Sequence, residues 1–348
     1  MERKSSDLQT AEQKQIAVWL LCVCAMVYAM VFLGGITRLT YSGLSMVDWK
    51  PFTGWLPPMN AQEWEAVFAA YREYPEYKEL NTGMALAEFK SIYWFEFIHR
   101  FWGRLIGVVF FVPFIFFFVR GWIDGRQLPK YLFMAVLGAS QGVLGWYMVK
   151  SGLVDNPDVS PYRLTAHLGL AIFIYGYILW VALGLLRSPV REGGYAGAFV
   201  PVFLIFLTIL SGGFMAGSSA GFGYNTFPTM DGEWLPEGLY ALQPFHTNFA
   251  LDITTVQFNH RVLAACVVAV VMVYWVWARV AGATVRLRRS ADVLLVAAIA
   301  QATLGVATLL LIVPVPLALL HQAGAVALLS VAIWNLVEFL AAEKRIPI

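Results

Sequence analysis

Eight apolar segments recur along this 348-residue chain, and each is long enough to cross a lipid bilayer as a helix. A membrane-spanning helix needs roughly 20 mostly apolar residues. Hydrophobic residues make up 59% of the sequence and charged residues 13%, far from the composition of a soluble domain. The sequence therefore predicts an all-α integral membrane protein. The eight segments lie near residues 16–36, 95–119, 131–149, 164–186, 199–215, 256–277, 291–313 and 316–340.

Lysine and arginine are distributed unequally between the two sets of connecting segments. The five short stretches on the side of the termini hold 3, 3, 2, 4 and 2 of them. The longer loops on the other side hold 5 in residues 37–94, 2 in 150–163 and none in 216–255. Because basic loops stay in the cytoplasm, we expect both termini there. The short, polar N-terminus is unlike a mitochondrial presequence, which favours a bacterial plasma membrane, and the net charge of +2 gives no indication of nucleic-acid binding.

An internal repeat relates the first four segments to the last four. The matches are Phe97-Ile98-His99-Arg100 with Phe258-Asn259-His260-Arg261, Gln141 with Gln301, His167 with His321, and Gly34-Gly35 with Gly212-Gly213 at an offset of 178. Each copy contains four spans, an even number, so both copies begin on the same side of the membrane, as parallel repeats do. We therefore predict two four-helix bundles related by a pseudo-twofold axis, formed by residues 1–190 and 191–348.

One histidine lies about a turn inside the outer end of each even-numbered span: His99, His167, His260 and His321. A single buried histidine could simply join two helices by a hydrogen bond. Four of them, paired by duplication at equal depth, indicate a shared cofactor. Haem iron takes axial imidazoles, and four-helix units hold such cofactors in their cores, whereas structural zinc would need four converging ligands. Each half is thus predicted to hold one haem between its two histidines.

Charged side chains lie beside these histidines and are candidates for binding haem propionates, since guanidinium groups bind carboxylates in a forked geometry. The alternative for each is an arginine that extends to the membrane interface. The candidates are Arg100 and Arg261, which directly follow a histidine, and more weakly Arg38 and Arg104.

The two halves differ at Glu96, which lies three residues before His99 and faces the same side of the helix. Gln257 holds the equivalent place before His260. A carboxylate beside a haem can move protons or stabilise developing positive charge, and an amide cannot move protons. The first half is therefore predicted to be the reactive one and the second to hold a resting cofactor. The alternative is that Glu96 only forms an ion pair with Arg100.

Other polar residues have simpler expected roles. The charged, aromatic stretch 63–90 is predicted to contain an amphipathic surface helix, acting either as a lid or as a spacer. Gln141 and Gln301 are expected to bond between helices, and His246 to be a loop residue. The three cysteines, Cys22, Cys24 and Cys266, all fall within spans, so no extracellular disulfide is indicated.

Several motifs resemble those of the haem A synthase family, and the resemblance covers nearly the whole chain. They are Glu96-Phe97-Ile98-His99-Arg100, Asn259-His260-Arg261, Gly35-Ile36-Thr37-Arg38-Leu39-Thr40 with Ser42-Gly43-Leu44-Ser45, Asn225-Thr226-Phe227-Pro228 with Met230, and Trp234-Leu235-Pro236. The chain is most similar to the proteobacterial and mitochondrial branch, because it lacks the outer-loop cysteine pairs of the Gram-positive branch.

The resemblance implies an enzyme that oxidises the C8 methyl group of haem O to a formyl group, giving haem A for cytochrome oxidase. By it, His99 and His167 bracket the substrate haem, Glu96 is catalytic, and His260 with His321 ligates a haem b that passes electrons. Expected partners are the lipid bilayer, a haem O synthase as supplier and a separate electron acceptor. The oligomeric state is left open, and a homo-oligomer is one alternative. The main alternative is a di-haem b, quinol-linked electron-transfer cytochrome. A transporter is disfavoured, since its mid-membrane spans would be broken by Gly and Pro.

Overall fold

The computed structural model describes residues 2–50, 53–152, 159–187 and 196–342. In these ranges the fold is helical and contains no strand, only an isolated bridge between Met230 and Glu233. The α-helices are α1 Glu2–Leu39, α2 Ala61–Arg72, α3 Leu86–Val119, α4 Leu128–Gly152, α5 Pro161–Leu186, α6 Ala196–Gly217, α7 Asn248–Leu251, α8 Ile253–Val280, α9 Val285–Leu310 and α10 Val315–Ala342.

Eight of these helices, all except α2 and α7, are long and apolar enough to span a membrane, so the predicted fold class is confirmed. A tight turn joins the last two of these helices, because α9 ends at Leu310 and α10 begins at Val315. The cytoplasmic location of the termini stays a prediction.

The chain divides into two compact units. The smaller unit is Ala25–His167, and the larger unit combines Met1–Cys24 with Leu168–Ile348. The proposed boundary between residues 190 and 191 and the pseudo-twofold axis stay predictions.

In the larger unit four helices form a closed ring: α6 packs on α8, α8 on α9, α9 on α10, and α10 on α6. Small side chains let these helices approach closely, as in other membrane bundles. One buried cluster combines four alanines with larger apolar residues: Ala198, Ala278, Ala283, Ala291, Tyr274, Leu287, Leu336 and Phe339. In this ring α8 and α10 are diagonally opposite, so residues on their inner faces meet across the interior.

In the smaller unit, α2 packs on the outer part of α3. Trp64, Phe68 and Tyr71 recur at intervals of four and three residues, so they share one face of α2. That face is buried against aromatic residues of α3, including Phe89 and Tyr93. The amphipathic helix predicted within 63–90 is therefore confirmed. α3 begins at Leu86, well before the predicted 95, because this aromatic packing extends the helix outside the purely apolar stretch.

A buried carboxyl group follows α2. Glu76 begins a π-helical turn, Glu76–Leu80, and is 4% exposed. Burial raises the pKa of Glu76 from 4.5 to about 7, and the negative charge of Glu96 acts in the same direction. Glu76 is therefore partly protonated near neutral pH.

Candidate functional site

Each of the four histidines packs its imidazole ring against a glycine of another helix in the same unit. A Cβ atom placed on the glycine would lie within 3.4 Å of the ring carbon Cε1 in every case. The pairs and distances are Gly34 of α1 with His99 (3.3 Å), Gly145 of α4 with His167 (3.0 Å), Gly212 of α6 with His260 (3.4 Å) and Gly305 of α9 with His321 (2.7 Å). All four glycines thus adjoin a ring, but the space is tight only at Gly305, Gly145 and Gly34, since the distance at Gly212 is an ordinary contact.

In the larger unit, His260 and His321 face each other across the helix ring. Their ring centroids are 6.4 Å apart and the ring planes are at 79°. A metal ion bonds an imidazole nitrogen at about 2.0–2.1 Å, so two imidazoles in line on one ion place their centroids about 6.3 Å apart once a ring radius of ~1.1 Å is added on each side. The observed separation fits a haem iron held between the two rings.

Hydrogen bonds orient both rings of this pair. Nδ1 of His260 lies 2.7 Å from Oγ of Ser211. Nε2 of Gln301 donates to the carbonyl oxygen of His321 (2.8 Å) and lies 3.0 Å from Nδ1 of the same residue. Oε1 of Gln301 is buried and has no hydrogen-bond partner within the described residues. The Gln301 amide therefore contacts both the backbone and the ring of His321, and which atom donates at Nδ1 depends on the tautomer of the ring.

The smaller unit contains the pair His99 and His167, which lie close enough to interact electrostatically. Nε2 of Gln141 donates to the carbonyl oxygen of His167 (3.0 Å) and lies 3.2 Å from its Nδ1, as Gln301 does for His321, but it also lies 3.3 Å from Nε2 of His167. The predicted bonds of both glutamines between helices are confirmed. By contrast, Nδ1 of His99 is buried, and no described residue forms a hydrogen bond with it.

Glu96 is 2% exposed, and both of its carboxylate oxygens are engaged. Oε1 lies 2.5 Å from a guanidinium nitrogen of Arg100, so the ion pair considered from the sequence is present. Oε2 accepts hydrogen bonds from the Ser45 hydroxyl and the Met46 N–H, both at 2.7 Å. The carboxylate is thus held in one place by three donors. Its catalytic role stays a prediction.

The arginines bind backbone carbonyls of the loops that follow α1 and α6. Arg100 donates to Met46 (2.8 Å) and Asp48 (3.0 Å), and Arg104 donates to Lys50 (2.8 Å). Their contacts with haem propionates stay predictions, as do those of Arg38, whose guanidinium lies 5.3 Å from the centroid of the Tyr41 ring.

The larger unit repeats this arrangement with different chemistry. Arg261 donates to the carbonyls of Tyr224 (3.0 Å) and Thr229 (3.1 Å), and Gln257 also donates to Tyr224 (3.0 Å). The amide of Gln257 therefore donates to a carbonyl where the Glu96 carboxylate accepts from an N–H. The sequence difference between the halves is matched by opposite hydrogen-bond directions.

The remaining residues considered from the sequence are a loop histidine and three cysteines. His246 is exposed in a short 3₁₀ turn, Phe245–Thr247, in agreement with its prediction as a loop residue. Cys24 is buried, Cys22 and Cys266 are exposed, and the part of the chain that the structure describes has no disulfide.

A family model, COX15-CtaA, described as cytochrome oxidase assembly protein, matches residues 17–333. The chain belongs to this family. Similar proteins include one named Heme A synthase from Nitrosospira multiformis, 47% identical over 338 residues and 95% of each chain. Another of that name, from Nitrosomonas eutropha, is 48% identical over 337 residues, covering 94% of this chain and 95% of its own. Heme A synthase COX15 from Bos taurus is 43% identical over 352 residues, covering 97% of this chain and 84% of its own.

The resemblance seen in the motifs is therefore confirmed, and this COX15-CtaA chain is a multi-pass membrane protein. Sequence reasoning missed two features of its histidine sites. It noted the repeated glycines without linking them to the histidines, and it did not consider Ser211. The signal for both was present in the repeat, because Ser211 directly precedes the matched Gly212-Gly213 pair.

Proposed function

We propose that this chain is a haem A synthase, which oxidises the C8 methyl group of haem O to a formyl group and so supplies haem A to cytochrome oxidase. The observation that carries the proposal is the duplicated pair of glycine-packed imidazoles, only one of which has a buried carboxylate beside it. The relatives named Heme A synthase, at 47% and 48% identity over nearly the full chain, support the same activity.

The reaction removes four electrons and four protons overall and adds one oxygen atom to the C8 substituent, which water supplies when the four electrons leave to a separate redox partner. We assign the substrate haem to His99 and His167, because Glu96 lies one helical turn from His99. Three donors hold the Glu96 carboxylate at one position. A fixed negative charge of this kind stabilises positive charge that develops on the reacting carbon, with little reorganisation during the reaction.

We assign haem b to His260 and His321, whose ring separation fits an iron between them. Haem b, when bound there, supplies one-electron transfer. Ser211 and Gln301 orient the two rings by hydrogen bonds to Nδ1. A ligand held in this way keeps its orientation through redox cycles.

The proposal includes a location and partners. The chain lies in the bacterial plasma membrane with both termini in the cytoplasm, as the distribution of basic residues indicates. The farnesyl tail of haem O favours arrival through the bilayer from a haem O synthase. The electrons leave to a separate redox partner.

The decisive experiment is Glu96→Gln, which keeps the side-chain shape and removes the charge. Membranes of cells that also express a haem O synthase are extracted, and haems O, A and B are separated by chromatography. We expect haem A to fall at least tenfold while haem b in the purified protein stays at the wild-type level. Glu65→Gln, an exposed carboxylate of α2, is the control and should leave haem A unchanged. Wild-type haem A production by Glu96→Gln would contradict the proposal and favour an electron-transfer cytochrome.

The assignment of the two haems is tested by removing the ligands. His260→Ala or His321→Ala should deplete the purified protein of haem b, measured from its pyridine haemochrome spectrum. His99→Ala or His167→Ala should keep haem b and abolish haem A formation. Equal loss of haem b from all four variants would show that the halves do not differ in this way.

A further inference from the structure

The two halves treat their first histidine differently at one position of the repeat. The glycines that contact His99 and His260 are matched at an offset of 178. The residue directly before each glycine is Leu33 in the first half and Ser211 in the second. The Ser211 side chain forms hydrogen bonds, whereas the Leu33 side chain cannot.

The hydrogen bonds of Ser211 favour one tautomer of His260. The Ser211 hydroxyl is placed to donate its single proton to the carbonyl oxygen of Thr208 (2.8 Å). When it does so, its Oγ, 2.7 Å from Nδ1 of His260, is the acceptor, and Nδ1 of His260 carries the proton. The lone pair of a neutral imidazole is consequently on Nε2, the nitrogen that is free to bind iron.

His99 lacks this bond. Its Nδ1 is buried and makes no hydrogen bond with any described residue. The aliphatic side chain of Leu33, at the position of Ser211, can neither donate nor accept. No hydrogen bond from a described residue to Nδ1 therefore determines the tautomer or the ring orientation of His99. Gln141 and Gln301 both lie within hydrogen-bond distance of Nδ1 of the second histidine of their half, although Gln141 also lies 3.3 Å from Nε2 of His167. At Nδ1, the halves therefore differ at the first histidine.

We propose that Ser211 is a positioning residue that makes His260 a permanent haem ligand, and that Leu33 makes His99 an exchangeable one. Hydrogen bonds to the second nitrogen of a ligating histidine raise its basicity and fix its orientation, and losing one typically costs about 10–100-fold in metal affinity. The part concerning His99 rests on the proposed function, in which the first haem is a substrate that must leave as product. An exchangeable ligand suits that haem, and an anchored ligand suits a cofactor.

The first test uses the purified protein with its haem b. We expect Ser211→Ala to accelerate the transfer of haem b to excess apomyoglobin by about 10–100-fold and to shift the haem b midpoint potential. Ser211→Thr, which keeps a hydroxyl, should restore both values. The matched control is Ser218→Ala, whose hydroxyl bonds only the Phe214 carbonyl in the described structure and should leave both values unchanged. Wild-type transfer rate and potential in Ser211→Ala would overturn the proposal.

The reciprocal test adds the hydroxyl to the first half. Haem O is bound to the purified protein, and its transfer to apomyoglobin is followed by chromatography of the separated proteins. We expect Leu33→Ser to slow the release of haem O at least tenfold, while Leu33→Ala, the volume control, does not slow it. Release of haem O from Leu33→Ser at the Leu33→Ala rate would overturn the part concerning His99.

Neither test measures haem A formation, so the two proposals can fail separately. A wild-type protein that makes no haem A while Ser211→Ala loses haem b faster would refute the enzyme and keep the role of Ser211. Normal haem A formation, with wild-type haem transfer in Ser211→Ala and no slowing of haem O release in Leu33→Ser, would keep the enzyme and refute the roles of Ser211 and Leu33.

Discussion

Replacing Gly305 with alanine should displace the ligand His321 while leaving the helix itself intact. The new Cβ would lie 2.7 Å from Cε1 of His321. The His321 ring lies between helices. It must move by at least about 0.7 Å to bring the distance between Cε1 and the new Cβ to an ordinary contact near 3.4 Å. A metal–imidazole bond is only about 2.0–2.1 Å long, so a ring displaced by this amount can no longer form it at the same iron position. We therefore expect Gly305→Ala to lose most of its haem b.

The matched control is Gly212→Ala on the opposite side of the same pair. Its Cβ would lie 3.4 Å from Cε1 of His260, an ordinary contact, so haem b should stay bound. Alanine also favours a helix over glycine by about 1 kcal/mol, so neither substitution should weaken its helix. Haem b per protein is measured from the pyridine haemochrome spectrum, with helix content from circular dichroism. Equal haem b in the two variants, or greater loss from Gly212→Ala, would refute this reasoning.

Two further predictions concern stability in detergent. A carboxyl with a raised pKa stabilises the folded state at low pH and loses that contribution as the pH rises through the folded pKa, here about 7 for Glu76. Glu76→Gln should therefore be more stable than wild type at pH 8, by up to about 3 kcal/mol, and should have no such advantage at pH 4.5. The measurement is the thermal midpoint at the two pH values. The exposed control Glu79→Gln should show no pH-dependent difference from wild type. Arg187 bonds the buried carboxylate of Glu338 at 2.6 Å. Because Arg187→Gln leaves a buried charge unpaired, it should lower the thermal midpoint more than Glu338→Gln does, and the opposite order would contradict the prediction.

The spanning helices could be predicted from the sequence because hydropathy and helix length are local properties. The match of His99 with His260 followed from comparing the two halves of the sequence. The place of His99 about one turn inside its helix did not, because α3 begins at Leu86 and His99 lies thirteen residues after that start. The amphipathic face of α2 followed from the spacing of Trp64, Phe68 and Tyr71. The start of α3 at Leu86 could not be predicted in this way, because packing against α2, and not hydropathy, extends the helix.

The sequence by itself determined that this chain has eight helices long and apolar enough to cross a membrane and that four of its five histidines occur as two duplicated pairs. Only the tertiary structure decided what surrounds each ring: a glycine whose added Cβ would lie 2.7–3.4 Å from the ring, a serine beside His260 and, among the described residues, no hydrogen-bond partner for Nδ1 of His99. It also decided that Arg100 and Arg261 bind loop carbonyls. The physical reason is that these contacts join residues 16 to 65 positions apart in the chain. Their distances depend on how neighbouring helices pack, which no local pattern encodes.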